Sequence, residues 1–334
     1  MRNGYPLVEL HRHLDGNVRL ETVLELARAH RIDLPAWTEE DLRPHVQVID
    51  PEPDLLGFLA KFELLRRVMV DEAACRRIAR ENVEDAAREG IDHIELRFSP
   101  YFMAEVHGLD PVAVTEAVCD GLAEGLAANP EVSAKLIGIV SRNYGPEIGW
   151  IEVDAAIRCS DRGVVALDLA GDEANFPGTL FVDHFRAARE AGLRTVAHAG
   201  EAAGAESVRQ AIEELEAERI GHGIRAVEDE AVLDLLADRG IALEVCPTSN
   251  VQTSTVPSLA DHPLPLFLAR GLRATLNTDD PSISGIDLAH EYRVTADGLG
   301  LSERELRVLQ ENAVEAAFLT EEERGALLGR VGDA

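Results

Sequence analysis

Lysine, cysteine and long hydrophobic runs are all scarce in this sequence. The four cysteines lie tens of residues apart and form no C-x-x-C pair: Cys75, Cys119, Cys159 and Cys246. This spacing argues against a disulfide framework and against a thiolate zinc site, and it favours a reducing compartment. No stretch approaches about 18 apolar residues, and no basic segment followed by an apolar one opens the chain, so we predict neither a membrane span nor a secretion signal. We therefore expect a cytoplasmic protein without membrane contact.

Positive charge is also scarce. The chain has 32 Lys and Arg against 61 Asp and Glu, which gives a net charge of −29. A nucleic-acid backbone or an anionic membrane surface would be repelled by this charge, so neither is an expected partner. Lys61 and Lys135 are the only lysines, and nearly all of the positive charge is therefore arginine. A G+C-rich genome and a salt-rich cytoplasm would both produce such a composition.

Eight short runs rich in Val, Ile, Leu and Ala alternate with segments of helical periodicity. The runs cover residues 6–13, 93–100, 134–142, 164–171, 194–201, 219–224, 241–250 and 273–281. Near-continuously apolar strands that alternate with helices indicate a parallel sheet covered by helices. Eight units predict a (β/α)8 barrel of the TIM type, with a doubly wound open sheet as the alternative. Because 46% of the residues are hydrophobic and no linker divides the chain, we expect one domain over residues 1–334.

Several helices beyond the eight crossovers are expected. Segments 71–90 and 227–240 each end in a glycine suited to the position after a helix. The connection 17–92 is longer than one crossover, so we expect extra helices over the barrel mouth, and residues 287–331 are interpreted as terminal helices. The long connection contains an apolar stripe with helical spacing, formed by Leu55, Phe58, Leu59 and Phe62. This stripe either packs against the barrel or forms a hydrophobic wall over a substrate ring.

Polar residues follow five of the predicted strands at their carboxyl ends, where barrels of this type form their active sites. They are His11 and His13 after strand one, Asp168 to Gly171 after strand four, His198 to Glu201 after strand five, His222 after strand six, and Asp279 and Asp280 after strand eight. The remaining histidines fall in helices, loops or strand starts, and we assign no site role to His30, His45, His93, His107, His184, His262 and His290.

The stretch "ELHRHLDGN" (residues 9–17) places two histidines one residue apart. Side chains alternate along an extended strand, so His11, His13 and Asp15 are expected on one face. Arg12 and Leu14 are expected on the other face, towards the helices. A strand-borne His-x-His alone is weak evidence for metal binding, because a single histidine is more often an ordinary hydrogen-bonded residue.

Four residues from strands one, five and eight would form a metal site if the barrel brings them together: His11, His13, His198 and Asp279. Three imidazoles and one carboxylate suit zinc or a similar divalent ion, and a water in an open position would make the site catalytic. Two-metal barrels commonly bridge their ions with a modified lysine at a middle strand end. Lys61 lies in the apolar stripe and Lys135 begins a strand at the opposite rim, so we expect one metal ion per chain.

Seven ordered motifs give the chain a resemblance to the adenosine deaminase family over nearly its full length. They are "HRHLDG", "ELRFSP", "LDLAGDE", "HAGEAAG", "RIGHGI", "CPTSN" and "NTDDP". Single motifs of this kind are weak, but seven at strand ends in this order are highly specific. The resemblance implies zinc-dependent hydrolytic deamination of adenosine and 2′-deoxyadenosine to inosine and 2′-deoxyinosine, with release of ammonia.

The resemblance also implies a role for each site residue. His11, His13, His198 and Asp279 would ligate zinc, and Asp279 would also orient the attacking water. Glu201 would donate a proton to purine N1, while His222 would position the water and help to deprotonate it. The substrate contacts would come from His13, from Asp280 at N7, from the Gly171 backbone N–H at N3, and from Asp15 at the ribose 5′-hydroxyl.

Two other functions remain open at this point. The first is a sister activity on adenine, an N6-substituted nucleotide or another aminopurine. A nucleotide is disfavoured because Asp15 would repel a 5′-phosphate, and a free base would leave Asp15 unpaired. The second is a catalytically silent binding protein, which is disfavoured because every acid, base and ligand is present. The cytidine-deaminase zinc pattern, H-x-E with P-C-x-x-C, is absent.

Overall fold

A computed structural model describes residues 4–330 of the chain, and its centre is one sheet of eight parallel strands in sequential order. The strands are β1 (Val8–His13), β2 (His93–Phe98), β3 (Ser133–Ser141), β4 (Val164–Ala170), β5 (Arg194–Ala199), β6 (Arg219–His222), β7 (Ala242–Val245) and β8 (Arg273–Leu276). The first and last strands meet beyond the end of β8, where the His13 N–H donates to the Asp279 carbonyl and the Asp279 N–H donates to the His11 carbonyl, both at 2.8 Å. The (β/α)8 barrel is therefore confirmed, and the open sheet is not formed.

Helices surround this barrel. They are α1 (Leu20–His30), α2 (Glu39–Val46), α3 (Leu55–Leu59), α4 (Phe62–Arg66), α5 (Glu72–Glu89), α6 (Pro100–Glu105), α7 (Pro111–Ala128), α8 (Gly145–Arg158), α9 (Val182–Glu190), α10 (Ala205–Glu213), α11 (Glu230–Arg239), α12 (Pro247–Gln252), α13 (Leu264–Ala269), α14 (Pro281–Ser284), α15 (Leu288–Leu299), α16 (Glu303–Ala316) and α17 (Glu321–Gly329). Five of them lie between β1 and β2 and four follow β8, so both predicted groups of extra helices are confirmed.

Local sequence determines where the two predicted helices begin and end. The Asp71 side chain accepts the Ala74 N–H at the start of α5, and Gly90 ends that helix in the left-handed conformation, with φ of 74°. Helix α11 starts later than predicted because Asp229 caps it, and residues 224–228 form a short 3-10 turn. The apolar stripe was predicted as one helix, but it is divided between α3 and α4 at residues 60–61.

The barrel interior is less apolar than the strand patterns predicted. Five charged side chains with no more than about 1% exposure lie inside it: Glu95, Arg97, Asp168, Arg219 and Glu244. Arg97 pairs with Asp168 at 2.7 Å and with Glu244 at 2.6 Å, while Arg219 pairs with Glu95 and Glu244, both at 2.6 Å. Each charge therefore has a partner, as burial at this depth requires. We call these five residues the buried charge array.

The two faces of β1 follow the prediction up to the end of the strand. The Arg12 guanidinium donates two hydrogen bonds of 2.8 Å to Glu89 at the end of α5, and Leu14 packs in the apolar core. Asp15 lies beyond β1 in a turn, so strand alternation does not extend to it. None of the helices between residues 4 and 330 combines the length and the hydrophobicity that a bilayer span requires.

Candidate active site

Four side chains predicted as metal ligands converge at the carboxyl end of the barrel. His11 and His13 come from β1, His198 comes from β5, and Asp279 lies just beyond β8. One potential ligand atom from each residue lies within 4.8 Å of the other three. Oδ1 of Asp279 is 3.3 Å from Nε2 of both His11 and His13, and Nε2 of His13 is 3.3 Å from Nε2 of His198. The barrel therefore brings this whole set together.

The donor atoms of this cluster suit a divalent cation. Nε2 of His11 is buried and has no hydrogen-bond partner. Three imidazole nitrogens and one carboxylate oxygen form the nitrogen-rich set that zinc and similar ions prefer. A second group, His222, Cys246 and Asp279, is equally compact, but burial raises the pKa of the Cys246 thiol well above its usual range and opposes the thiolate form that binds metals.

Two carboxylates of the buried charge array orient the histidines from behind. Oε2 of Glu244 lies 2.8 Å from Nδ1 of His11, and Asp168 lies 3.1 Å from Nδ1 of His198. A carboxylate at Nδ1 holds the proton on that nitrogen and directs Nε2 towards the cluster. Burial opposes ionisation of Glu244, but the guanidinium groups of Arg97 and Arg219 outweigh burial and hold the pKa of Glu244 below its usual range.

The backbone is strained at two positions in the site. His222 and Asp279 have φ values of 60° and 65°, in the left-handed region that non-glycine residues rarely adopt. Gly16 also allows the backbone to lie close to the Asp280 side chain, because a Cβ atom at residue 16 would be only 1.7 Å from Oδ1 of Asp280. The loops at this end of the barrel thus place functional side chains in positions that an unconstrained chain would avoid.

A cavity of about 370 Å³ opens beside the cluster. It is lined by every predicted substrate-binding and catalytic residue, namely His13, Asp15, Gly171, Glu201, His222 and Asp280. All four residues of the apolar stripe, Leu55, Phe58, Leu59 and Phe62, line it as well. The stripe both packs on the barrel and walls the cavity, so the two interpretations of it are compatible. A lining that combines polar and apolar side chains suits a flat heterocycle that carries ring nitrogens.

Comparison with known proteins identifies the family. The sequence profile of the adenosine deaminase family matches residues 6–334. The adenosine deaminase of Erwinia tasmaniensis is 56% identical over 326 residues, which cover 98% of this chain and 98% of the relative. The chain belongs to the adenosine deaminase family. It is accordingly a hydrolase, as the seven motifs implied.

Solved structures of related proteins share the barrel. An adenine deaminase from Arthrobacter aurescens superposes with a TM-score of 0.86 and is 31% identical, and the match covers 98% of each chain. An amidohydrolase from Burkholderia ambifaria, solved with bound zinc, has a TM-score of 0.84 and 25% identity, with 99% of this chain and 92% of that chain covered. Proteins that share this barrel therefore include an adenine deaminase and an amidohydrolase solved with zinc.

Burial raises the pKa of two carboxyls that line the cavity. Burial raises the pKa of Glu201 well above its usual range, and the negative charges of Asp279 and Glu173 raise it further. The pKa of Asp280 is likewise raised, by burial and by the adjacent Asp279. Both environments favour the protonated acid, which can donate a hydrogen bond or a proton to a ring nitrogen.

Burial also raises the pKa of Asp15, although the neighbouring His13 and the Ser99 N–H oppose this rise. One of its oxygens accepts the Ser99 N–H at 2.9 Å, while its Oδ1 atom is buried without a hydrogen-bond partner. The neighbouring Ser99 hydroxyl donates to Glu152 on α8. Asp15 therefore has a fixed position, and its Oδ1 atom, 3.9 Å from Nδ1 of His13, can accept a hydrogen bond in the cavity wall.

The two lysines lie away from the cluster. Lys61 pairs with Glu52 at 3.4 Å, and Lys135 pairs with Glu323 on α17 at 2.5 Å. Neither lysine lines the cavity. This placement agrees with the premise of the single-metal prediction, since neither lysine can bridge two ions there.

Sequence reasoning missed several residues that support the site. Glu173 accepts hydrogen bonds from the four backbone N–H groups of residues 200–203, and Ser249 donates to Asp279 at 2.7 Å. Asn250 contacts His222, and His262, to which we had assigned no site role, contacts Asn250. A single charged residue within an apolar run, such as Glu244 in "IALEVCPTSN", was the one sequence pattern that could have predicted these supporting residues.

Proposed function

We propose that this family member is a cytoplasmic, zinc-dependent adenosine deaminase that acts on adenosine and 2′-deoxyadenosine in purine salvage, with the whole chain as one catalytic domain. The observation that carries the proposal is the juxtaposition of Glu201, His222 and Asp280 around one cavity beside the His11, His13, His198 and Asp279 cluster. The reaction adds water to the purine and releases ammonia. Inosine and 2′-deoxyinosine are the products.

The metal would be held by His11, His13, His198 and Asp279, with one ion per chain. A bound divalent cation would lower the pKa of a water molecule and so supply a nucleophile at neutral pH. The unpartnered Nε2 of His11 and the absence of either lysine from the cavity lining support a single ion at this position. Metal analysis that returns two ions per chain would contradict this part of the proposal.

Glu201 would be the acid of the reaction. Its raised pKa favours the protonated form, which gives its proton to N1 as the water oxygen bonds to C6, and the carboxylate left on Glu201 takes up the proton that the water releases. The C6–N6 bond then breaks, and the amino group leaves as ammonia with the proton of the new hydroxyl, so that C6 becomes a carbonyl carbon. His222 lies across from Glu201, with Nε2 3.6 Å from Oε2 of Glu201, and would position the attacking water.

The remaining cavity residues would orient the nucleoside. A protonated Asp280 would donate to N7, which is an acceptor, and the Gly171 N–H would donate to N3. Asp15 would accept the 5′-hydroxyl hydrogen with its unpartnered Oδ1 atom. His13 borders the same space, and the apolar stripe would cover the ring face.

Purified protein loaded with zinc should convert adenosine to inosine, measured as falling absorbance near the adenosine maximum. Glu201→Gln keeps the shape of the side chain but removes the acidic proton, and we expect a loss of about 100-fold or more in kcat with unchanged metal content. Glu206→Gln, at an exposed position shortly after it in the chain, is the matched control and should retain full activity. Strong activity in Glu201→Gln would overturn the role of Glu201.

A second candidate is deamination of adenine or of a nucleotide, since a family relative is an adenine deaminase. The buried, unpartnered oxygen of Asp15 argues against both, because a free base leaves it unpaired and a 5′-phosphate meets its negative charge. Parallel assays of adenosine, 2′-deoxyadenosine, adenine and AMP decide between these substrates. A preference for AMP or adenine would overturn the nucleoside proposal.

A further inference from the structure

A chain of three hydrogen bonds runs from the outer layer of the barrel to His222. The Leu264 backbone N–H lies 3.1 Å from Nδ1 of His262, and Nε2 of His262 lies 3.3 Å from Oδ1 of Asn250. Nδ2 of Asn250 then lies 3.1 Å from Nδ1 of His222. His262, Asn250 and His222 are all buried, with exposures of 4% or less. We call this series the Leu264–His222 chain.

The direction of every bond in the chain is fixed by its first member. A backbone N–H can only donate, so Nδ1 of His262 must accept and the His262 proton must be on Nε2. Nε2 of His262 therefore donates to Asn250, which receives the bond with its carbonyl oxygen and must present its NH₂ group to His222. Nδ1 of His222 then accepts, and its proton must be on Nε2.

The reverse arrangement leaves two donors facing each other. If Asn250 were rotated so that its oxygen met a protonated Nδ1 of His222, its NH₂ group would face Nε2 of His262. That nitrogen could accept only if the His262 proton moved to Nδ1, where the Leu264 N–H already donates. One orientation of the amide and one tautomer of each ring therefore satisfy every donor.

We infer that the Leu264–His222 chain holds His222 as the tautomer with its proton on Nε2, so that this nitrogen is a hydrogen-bond donor towards the water in the cavity. Asn250 and His262 are positioning residues for this tautomer. The consequence for the reaction rests on the proposed function, whereas the position of the proton does not.

The surroundings of Nε2 agree with a donor at this atom. Oδ2 of Asp279 lies 3.8 Å from Nε2 of His222 and is an acceptor. Oε2 of Glu201 lies 3.6 Å from the same nitrogen and accepts when the Glu201 proton is on Oε1. A proton on Nε2 of His222 therefore faces acceptor oxygens.

Nitrogen NMR of the ring measures the tautomer directly and needs no activity. We would label the histidines with ¹⁵N, record long-range ¹H–¹⁵N spectra of the zinc-loaded full chain, and assign His222 by the signal lost in His222→Gln. Two other histidines provide internal references: Nε2 of His184 lies 2.7 Å from the Pro146 carbonyl and so carries a proton, whereas Nδ1 of His11 faces Glu244 and carries its proton there. We expect the His222 pattern to match that of His184, and a protonated Nδ1 would overturn the inference.

Asn250→Asp tests the donor role with nearly unchanged shape. A carboxylate can only accept, so it should move the His222 proton to Nδ1 and leave Nε2 as an acceptor, while His262 still donates to it. We expect kcat for adenosine to fall about 100-fold, the usual loss for one active-site donor, with metal content retained. If His222 is a base, this change should preserve or raise kcat, and that result would overturn the donor role.

Asn82→Asp is the matched control, because Asn82 is also fully buried but bonds to Asn17 and Ile78. It should leave the His222 nitrogen signals unchanged. If Asn250→Asp does not fold, the wild-type spectrum still decides the inference. A wild-type protein without adenosine activity but with the proton on Nε2 would refute the proposed function and keep the tautomer assignment, so the two failures are distinguishable.

Discussion

Nδ1 of His11 lies 2.8 Å from Oε2 of Glu244, and the same carboxylate oxygen accepts a 2.6 Å hydrogen bond from Arg97. A metal ligand is thereby connected to the buried charge array through one atom. Arg97 also reaches Asp168, which lies behind His198. Two of the four candidate ligands therefore depend on the same arginine for their orientation.

Glu244→Gln should weaken zinc binding by about 10- to 100-fold, because it removes the charge that holds His11 in its ligating orientation. It should also destabilise the fold, since Arg97 and Arg219 each lose a buried partner. Competition with a chelator measures the first effect and thermal unfolding the second. Glu218→Gln, which breaks an exposed pair with Arg194, should change neither by much. Unchanged zinc affinity in Glu244→Gln would contradict this prediction.

Glu173→Gln should lower kcat while zinc content stays constant. The Glu173 carboxylate accepts four backbone N–H groups from residues 200–203 at 2.6 to 3.1 Å, and an amide nitrogen in its place would face donors. Hydrogen bonds to a charged group are each worth about 1.5–3 kcal/mol, so losing one or two would misplace Glu201 and reduce kcat by about 10- to 100-fold. Steady-state kinetics beside metal analysis measure this. The control is Asp172→Asn, whose side chain bonds to Asn175 instead, and equal losses in both variants would refute a specific role for Glu173.

Asp15→Asn should reduce the preference for a 5′-hydroxyl. We expect kcat/KM for adenosine to fall about 10- to 100-fold, as for a lost charge-assisted hydrogen bond, while kcat/KM for 5′-deoxyadenosine changes little. The Ser99 N–H can still donate to the remaining carbonyl oxygen, so the turn should keep its conformation. The ratio of kcat/KM for adenosine to kcat/KM for 5′-deoxyadenosine, measured in the wild type and in the variant, provides the internal control. A loss of equal size for both substrates would place Asp15 in a purely structural role.

Stability should decrease between about pH 5 and pH 8 because of Glu152. Burial raises its pKa from 4.5 to about 8, although the Ser99 hydroxyl and the Ser141 N–H oppose this rise. In that range the unfolded chain has released the proton that the folded protein retains, so the free energy of unfolding falls by up to about 1.4 kcal/mol per pH unit. Its contribution is fully present below about pH 4.5 and is lost as the pH passes 8.

Glu152→Gln should flatten this slope even if its overall stability is lower, because the amide does not titrate. Urea unfolding at several pH values measures the slope in each protein. Glu147→Gln, at an exposed position of the same helix, should leave the slope of the wild type unchanged. An identical slope in Glu152→Gln would show that another group is responsible.

The residues of the candidate metal cluster could be predicted from the sequence because each of them follows a predicted strand. Each polar motif follows an apolar strand, and parallel strands end at one rim, so His11, His198 and Asp279 had to meet once eight strands were counted. Strand ends were less accurate: the run 241–250 contains only Ala242–Val245 as strand and then turns into α12 at Pro247. When a short helix follows a strand directly, the apolar pattern continues into the helix and does not show where the strand ends.

The residues that orient the site from behind could not be predicted from local sequence in this way. Glu244 and Arg97 lie in apolar runs, and their importance comes from partners on other strands that only the closed barrel brings within 2.6 Å. The Leu264–His222 chain likewise depends on a backbone N–H after His262, whose position no side-chain pattern records. Long-range pairing and backbone geometry are properties of the folded chain, not of any local segment.

The buried charge array also constrains the order in which the barrel can fold. Arg97 on β2 pairs with Asp168 on β4 and Glu244 on β7, and Arg219 on β6 pairs across the barrel with Glu95 on β2. A sheet of β1–β4 alone lacks Glu244 and Arg219, so Glu95 has no arginine partner and Arg97 has only one of its two carboxylates. Unpaired buried charges are costly, so such a sheet should keep water on its inner face. We therefore expect barrel closure and loss of interior water to occur together.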